Sequence, residues 1–223
     1  MFTKLDQILF VDKCEVYEII PKEEYVYPIY KNARSAFDWY QRQKNWRIVI
    51  NDQIKRIDNI KVYLRNPYER YISGVWTHLQ NLIKEDPTLD ENTILKLIKT
   101  YQMLDRHYCP QYLWLCNLAR YMNKSATIEI LDVASVNLFG ENKQHIKPFT
   151  GSPTKEFKDS FWKIDDDDFL KLDEIIRDNF MNKRTTIKEI NLYIKNQHID
   201  LYKRIFNLSI ELKEQHDTRY RYE

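Results

Sequence analysis

The sequence predicts an α/β fold in which a short parallel sheet is flanked by helices and the carboxyl-terminal part is helical. Two strand-turn-helix segments predict it, at residues 25–40 and 60–84, together with an alternating stretch at 126–133 that follows an apolar helix. A chain of 223 residues suits one α/β domain with a sizeable core. We therefore expect a single domain over 1–223, with an amino-terminal arm at 1–23, a core at 24–140 and a helical part at 155–223.

Bulk composition excludes several function classes. The 35 basic and 33 acidic residues nearly balance, so the chain lacks the overall positive field of a nucleic-acid binder. Only three glycines are present, which argues against a glycine-rich phosphate loop. The three cysteines form no metal-ligand pattern, and we expect reduced thiols and no bound metal.

The amino terminus and the hydropathy pattern bear on localisation. The first fifteen residues carry too many charges for a signal peptide, and no apolar run approaches the length of a membrane span. We expect a soluble, cytoplasmic protein without a membrane partner, and a composition compatible with a bacterial or viral source. The oligomeric state stays open.

The secondary structure is predicted from periodicity and from helix start signals. The arm at 1–23 supplies one or two short strands, and a helix starting near Ser35 follows the strand at 25–30. A stretch at 46–52 predicts a neighbouring strand. The remaining predicted elements are a strand at 60–64, helices at 67–84, 94–104 and from 110 onward, a strand at 126–133, and helices near 165–181, 186–196 and 198–215.

The stretch at 60–84 contains the first candidate site. Asn66 and Pro67 are an N-cap residue and a first-turn proline, so the strand passes through a tight turn into a long helix. Arg65 lies at the strand's carboxyl end, and Ser73 lies in the helix's second turn. Unpaired amides and the helix dipole at such a junction favour an anion, to which Arg65 and Ser73 can donate hydrogen bonds. Alternatively, Arg65 only forms a salt bridge at the strand end and Ser73 only packs.

The segment RNPYERYISG (65–74) resembles the 3′-phosphate-binding signature of sulfotransferases, an R-[DN]-P-x-x-R-x-x-S pattern at the start of a long helix. The resemblance implies a sulfotransferase fold and a donor, 3′-phosphoadenosine 5′-phosphosulfate, whose 3′-phosphate is held by Arg65 and Ser73. Asn66 departs mildly from the pattern, because many members carry Asp there.

The turn from Lys31 to Ala36 is the second candidate site. It joins a strand to a helix and begins with a lysine, a geometry suited to a phosphate, although a solvated loop is the alternative. It is not a Walker A loop, since its glycines and its Gly-Lys-Ser/Thr ending are missing. In order and context it is similar to the 5′-phosphosulfate loop of sulfotransferases. The resemblance implies that Lys31 bridges to the sulfate and that the rest of the loop binds phosphate (Asn32, Ala33, Arg34, Ser35 and Ala36).

The stretch HYCPQ, followed by Cys116, resembles the H-[WY]-x-P-Q…LC segment of the membrane-bound, carbohydrate-modifying sulfotransferases. Family members commonly use His or Glu as the general base, and some carry it between the two donor-binding sites. In this chain that stretch, residues 36–64, contains neither His nor Glu. His107 is therefore the candidate base, with His78 and His145 as alternates. A lone histidine can equally tie a loop to backbone groups.

Two polar stretches follow. In the loop at 141–154 the resemblance suggests donor contacts from Lys147, Thr150 or Gly151, although an ordinary surface loop fits as well. The acidic run at 165–168 is typical of a helix start, where the macrodipole favours negative charge, rather than of a metal site.

Taken with the resemblance, the sequence predicts a sulfotransferase that moves a sulfuryl group to a hydroxyl or amine, the acceptor being a carbohydrate. Two alternatives remain. A non-catalytic glycan- or partner-binding protein could retain the fold, and its sixteen tyrosines and five tryptophans could form the surface. A nucleotide-phosphate kinase is disfavoured by the missing Walker loop and Mg²⁺-binding acid.

Overall fold

The structure is a computed structural model that describes residues 14–29, 32, 34–88, 90, 109–135, 168–205 and 207. Within these residues, six strands form one sheet. They are β1 (Glu15–Ile19), β2 (Glu24–Tyr27), β3 (Arg47–Ile50), β4 (Asn59–Leu64), β5 (Thr127–Asp132) and β6 (Lys183–Thr185).

The sheet is mixed rather than parallel. Its order is β3-β1-β2-β4-β5-β6, and only the central strands β2, β4 and β5 run parallel to one another. The other three pairings, β1 with β2, β1 with β3 and β5 with β6, are antiparallel. The α/β class is thus confirmed. The prediction of a parallel sheet is correct only for the three central strands.

The structure adds two features of the sheet. The strand predicted at 46–52 is present as β3, and it pairs with β1 at the sheet edge, where Ile48 and Ile50 are each 41% exposed. The carboxyl-terminal part is not purely helical, because β6 turns back and pairs with β5. A three-residue strand carries too few side chains to show a period, so the sequence pattern could not reveal β6.

The α-helices with defined bounds in the described part of the chain are α1 (Arg34–Lys44), α2 (Pro67–Glu85), α3 (Gln111–Tyr121), α4 (Asp168–Phe180) and α5 (Ile187–Gln197). The start of α2 is as predicted, since the Asn66 side chain accepts a hydrogen bond from Glu69 N at 3.1 Å and Pro67 occupies the first turn. Residues 199–205 are also helical. The predicted helix at 94–104 and the loop at 141–154 lie outside the described residues.

The sheet is covered on both faces. Along β4, Val62 and Leu64 join the main core with α3, α4 and α5, whereas Tyr63 points to the opposite face and packs with Phe37 of α1. Because α1 follows β2 and α2 follows β4, this arrangement brings the starts of both helices to the carboxyl edge of the parallel strands. None of the described helices is both long and apolar enough to cross a membrane.

Candidate functional site

The carboxyl ends of β2 and β4 lie side by side, because these strands are parallel neighbours. The side chain of Asn32, which follows β2, is fully buried and donates from Nδ2 to the carbonyl oxygen of Tyr63 in β4 at 2.8 Å. The segment leaving β2 therefore packs against the end of β4, next to Arg65. Open α/β sheets bind ligands at this edge.

Gln111, the first residue of α3, connects these two segments. Its Oε1 accepts from the Arg65 backbone N–H at 2.9 Å and from Asn32 Nδ2 at 2.6 Å, and its Nε2 donates to the Arg65 carbonyl oxygen at 3.0 Å. The side-chain amide thus pairs with the Arg65 backbone as an adjacent strand would. The backbone partners accept only one orientation of the Gln111 amide, because an N–H can only donate and a carbonyl oxygen can only accept.

Asp173 of α4 holds the beginning of α3. Its two carboxylate oxygens accept from the backbone N–H groups of Gln111 at 2.6 Å and Tyr112 at 2.8 Å. The first N–H groups of a helix have no partner within the helix, and Pro110, at the N-cap, makes no side-chain cap. An acid from a distant helix therefore caps α3 and orients Gln111 toward Arg65.

Arg70 completes this buried polar cluster of Asn32, Arg70, Gln111 and Asp173. It is the second arginine of the 65–73 motif, is fully buried, and donates from its guanidinium to the Cys109 carbonyl oxygen. Burial raises the pKa of Asp173 to about 6, while its hydrogen bonds from Gln111 and Tyr112 and the positive charge of Arg70 act in the opposite direction. Burial also lowers the pKa of Arg70.

The guanidinium of Arg65 points outward, unlike that of Arg70. Its side chain is 35% exposed, and Nε lies 3.5 Å from a carboxylate oxygen of Glu69, one turn into α2. Ser73 is half-buried in the second turn of α2. The salt bridge that was the alternative role of Arg65 is thus present, as a long contact with Glu69. This contact leaves the guanidinium accessible beside the start of α2.

The side chain of Arg34, at the start of α1, is already engaged by carboxylates. It contacts Glu15 at 2.7 Å, lies 3.5 Å from Asp38 and donates to the Pro28 carbonyl oxygen at 3.3 Å. A phosphate would have to compete with two carboxylates for this side chain. We therefore leave Arg34 out of the proposed ligand set and assign it to anchoring α1 on β1.

The other predicted site residues have no described side-chain geometry. Ser35 and Ala36 lie in the first turn of α1 and His78 lies within α2, but their side chains are not described. Seven lie wholly outside the described residues, and their roles stay predictions: Lys31, Ala33, His107, His145, Lys147, Thr150 and Gly151.

Sequence reasoning missed the residues that hold the site together. Gln111 is the last residue of the HYCPQ segment, from which only His107 was assigned a role, and Asp173 lies among other acids in an ordinary amphipathic helix. Two signals were available: Gln111 and Arg70 both occupy positions of the resembling motifs, and Arg70 is a polar residue next to Tyr71 and Ile72 on the apolar face of α2.

Comparison with protein-family models, with curated proteins and with solved structures finds no match to this chain. Among the described residues, no group of three or more His, Cys, Asp or Glu side chains could hold a metal ion.

Replacing Gln111 by leucine should lower the free energy of unfolding by at least about 2 kcal/mol. The substitution leaves the N–H and the carbonyl oxygen of Arg65 without their partner in a partly buried setting, and each such group costs about 1–3 kcal/mol. Asn32 Nδ2 also loses one of its two acceptors but keeps the Tyr63 carbonyl oxygen. Urea unfolding measures the change. The matched control is Gln53→Leu on an exposed turn, which should stay within about 0.5 kcal/mol. A Gln111→Leu variant as stable as the control would contradict the assigned role.

The raised pKa of Asp173 predicts a specific pH dependence. The folded protein holds this proton more tightly than a chain with the ordinary value of 3.8, so the contribution of Asp173 to stability falls as pH rises from about 4 to about 6. The difference in unfolding free energy between wild type and Asp173→Asn should shrink over that window, by about 1–3 kcal/mol, and stay constant above pH 7.

Urea unfolding at unit pH steps from 4 to 8 measures that difference. Carboxyl groups with a lowered pKa, such as Asp132 and Asp168, contribute with the opposite sign, but they are common to both proteins and cancel. A difference that grows with pH would refute the raised pKa.

Proposed function

We propose that the chain binds 3′-phosphoadenosine 5′-phosphosulfate at the carboxyl edge of β2 and β4 and transfers its sulfuryl group to a hydroxyl or amine acceptor, with a carbohydrate favoured. The observation that carries the proposal is the position of Arg65. Its backbone is fixed on both sides by Gln111, while its guanidinium is accessible beside the start of α2.

This geometry suits an anion for three physical reasons. The amides of the first turn of α2 and the helix dipole offer partial positive charge. The forked guanidinium can bind two phosphate oxygens at once. A backbone held by buried hydrogen bonds loses little freedom on binding, which favours affinity. Because residues 65–73 resemble the 3′-phosphate signature, we propose that the bound anion is the 3′-phosphate. Ser73 would donate a further hydrogen bond to it.

The second contact with the sulfuryl donor would come from the loop that follows β2. Asn32, at 2.8 Å from the end of β4, brings that loop to the same edge as Arg65. One nucleotide bridging the two strands would therefore meet both motifs. Of the predicted loop residues, Lys31 keeps its role at the sulfate and the amides near Ser35 and Ala36 keep theirs at the 5′-phosphate.

The reaction requires an acceptor, a base and a cation. The acceptor oxygen or nitrogen attacks the sulfur, and the bond between sulfur and the bridging phosphate oxygen breaks. The acceptor proton passes to a base, for which His107 remains the candidate, with His78 and His145 as alternates. The negative charge that develops on the 5′-phosphate is met by Lys31. The second product is 3′-phosphoadenosine 5′-phosphate.

The donor site is tested by Arg65→Ala. Loss of a bidentate, charge-assisted contact should weaken binding of 3′-phosphoadenosine 5′-phosphate by about 2–3 kcal/mol, measured by isothermal titration calorimetry. Stability should change little, because the contact with Glu69 is long and partly exposed. The matched control is Arg56→Ala, which removes the same charge from an exposed turn before β4.

Binding by wild type should also be much stronger for the bisphosphate than for ATP, which lacks a 3′-phosphate. Equal affinities of Arg65→Ala, Arg56→Ala and wild type would refute the site.

The chemistry is tested by His107→Ala, with radiolabelled donor and a panel of sugar acceptors. A lost base should lower the transfer rate by about 10²–10⁴ with donor affinity unchanged. The wild-type rate should rise with pH through a group near the usual imidazole pKa of about 6.5. A variant that melts earlier and binds donor less well would instead show that His107 braces the turn before α3.

Donor binding without transfer to any acceptor would favour the non-catalytic alternative. Preference for ATP over the bisphosphate would favour the kinase.

A further inference from the structure

A cavity lies away from the carboxyl edge. It has a volume of about 810 Å³ and opens between the last turn of α3, the residues leading into β5 and one side of α5. Its wall is mainly apolar, with Met122, Ala126 and Ile187 buried and Leu192 on the rim. This volume lies within the range of small-molecule sites, about 300–1,000 Å³.

The cavity is separate from the proposed donor site. Helix α3 begins at Gln111, in contact with Arg65, and ends at Tyr121, beside the cavity. Its 11 residues span about 16 Å. A ligand in the cavity would therefore not meet the sulfur of a donor held at Arg65, and the cavity is not the acceptor site of the proposed reaction.

The charges around the cavity have one sign. Four of its lining residues are cationic, Arg120, Lys124, Lys188 and Lys195, and none is acidic. The three lysines are exposed and make no ion pair with a carboxylate in the part of the chain that the structure describes. Because the whole chain carries 35 basic and 33 acidic residues, this local excess is not a consequence of composition.

We propose that this cavity binds an amphipathic organic anion, a medium-chain alkyl carboxylate, with its chain against Met122, Ala126 and Ile187 and its head group at the lysines. The apolar wall disfavours a bare phosphate or a nucleic acid, which would bury no apolar surface there. The four cations disfavour a cationic amphiphile, because its positive head group would be repelled. They disfavour a neutral amphiphile because it offers them no negative charge to pair with. The proposal does not depend on the sulfotransferase assignment.

The test compares three twelve-carbon probes: dodecanoate and dodecyltrimethylammonium, each below its micelle concentration, and dodecanol below its solubility limit. Isothermal titration should show saturable binding of dodecanoate to the full chain, and binding of the other two at least about tenfold weaker. The double variant Lys188→Glu/Lys195→Glu should lose that preference. Its matched control, Lys183→Glu/Lys203→Glu, makes the same charge change at exposed lysines outside the cavity and should keep the preference.

A filling variant tests the apolar half of the site independently. Ala119 lines the cavity from an exposed position on α3, so Ala119→Phe can occupy the space without disturbing the core. It should weaken dodecanoate binding at least about tenfold while leaving the melting temperature unchanged.

Equal binding of all three probes, or no binding of dodecanoate, would overturn the proposal. So would a dimer seen by light scattering that the Lys188→Glu/Lys195→Glu variant dissociates, because the occupant would then be a second copy of the chain.

Discussion

The hydrogen bonds between the Gln111 side chain and the Arg65 backbone are the interaction on which the rest of the structure depends. They join the end of β4 to the start of α3, and through Asn32 they add the segment that leaves β2. Asp173 extends the connection to α4. Buried polar groups are costly without partners, so these groups stabilise one arrangement of the strands and helices and disfavour others.

The two arginines of the 65–73 motif have different places in the structure. Arg70 points into the protein, where the Cys109 carbonyl oxygen and the charge of Asp173 compensate for its burial. Arg65 points outward, and only its backbone takes part in the buried cluster. The segment therefore contributes to folding through the side chain of Arg70, and the proposed phosphate contact falls to the side chain of Arg65. Arg34 shows the converse, since a cation at the right place in sequence is committed to Glu15 and Asp38.

The two ends of α3 lie in regions with different chemistry. At the carboxyl edge, helix starts and Arg65 offer hydrogen-bond donors to an anion, as is usual for parallel strands. At the far end of α3, an apolar wall with four surrounding cations suits an anion that also has an apolar body. Helix α3 connects the two regions, and its buried middle, Leu113 to Leu118, packs into the main core.

The sequence by itself determined the elements whose signals are local. Alternation over β4 and the pair Asn66-Pro67 defined a strand, a turn and the start of α2, because periodicity and caps depend on residues only a few positions apart. Only the tertiary structure decided that β3 lies at the edge, that β6 exists and that Arg34 pairs with Glu15. It also decided the partnership of Gln111 with Asp173, which lies 62 residues away. Such contacts depend on which elements become neighbours, and no local pattern encodes a side chain's distant partner.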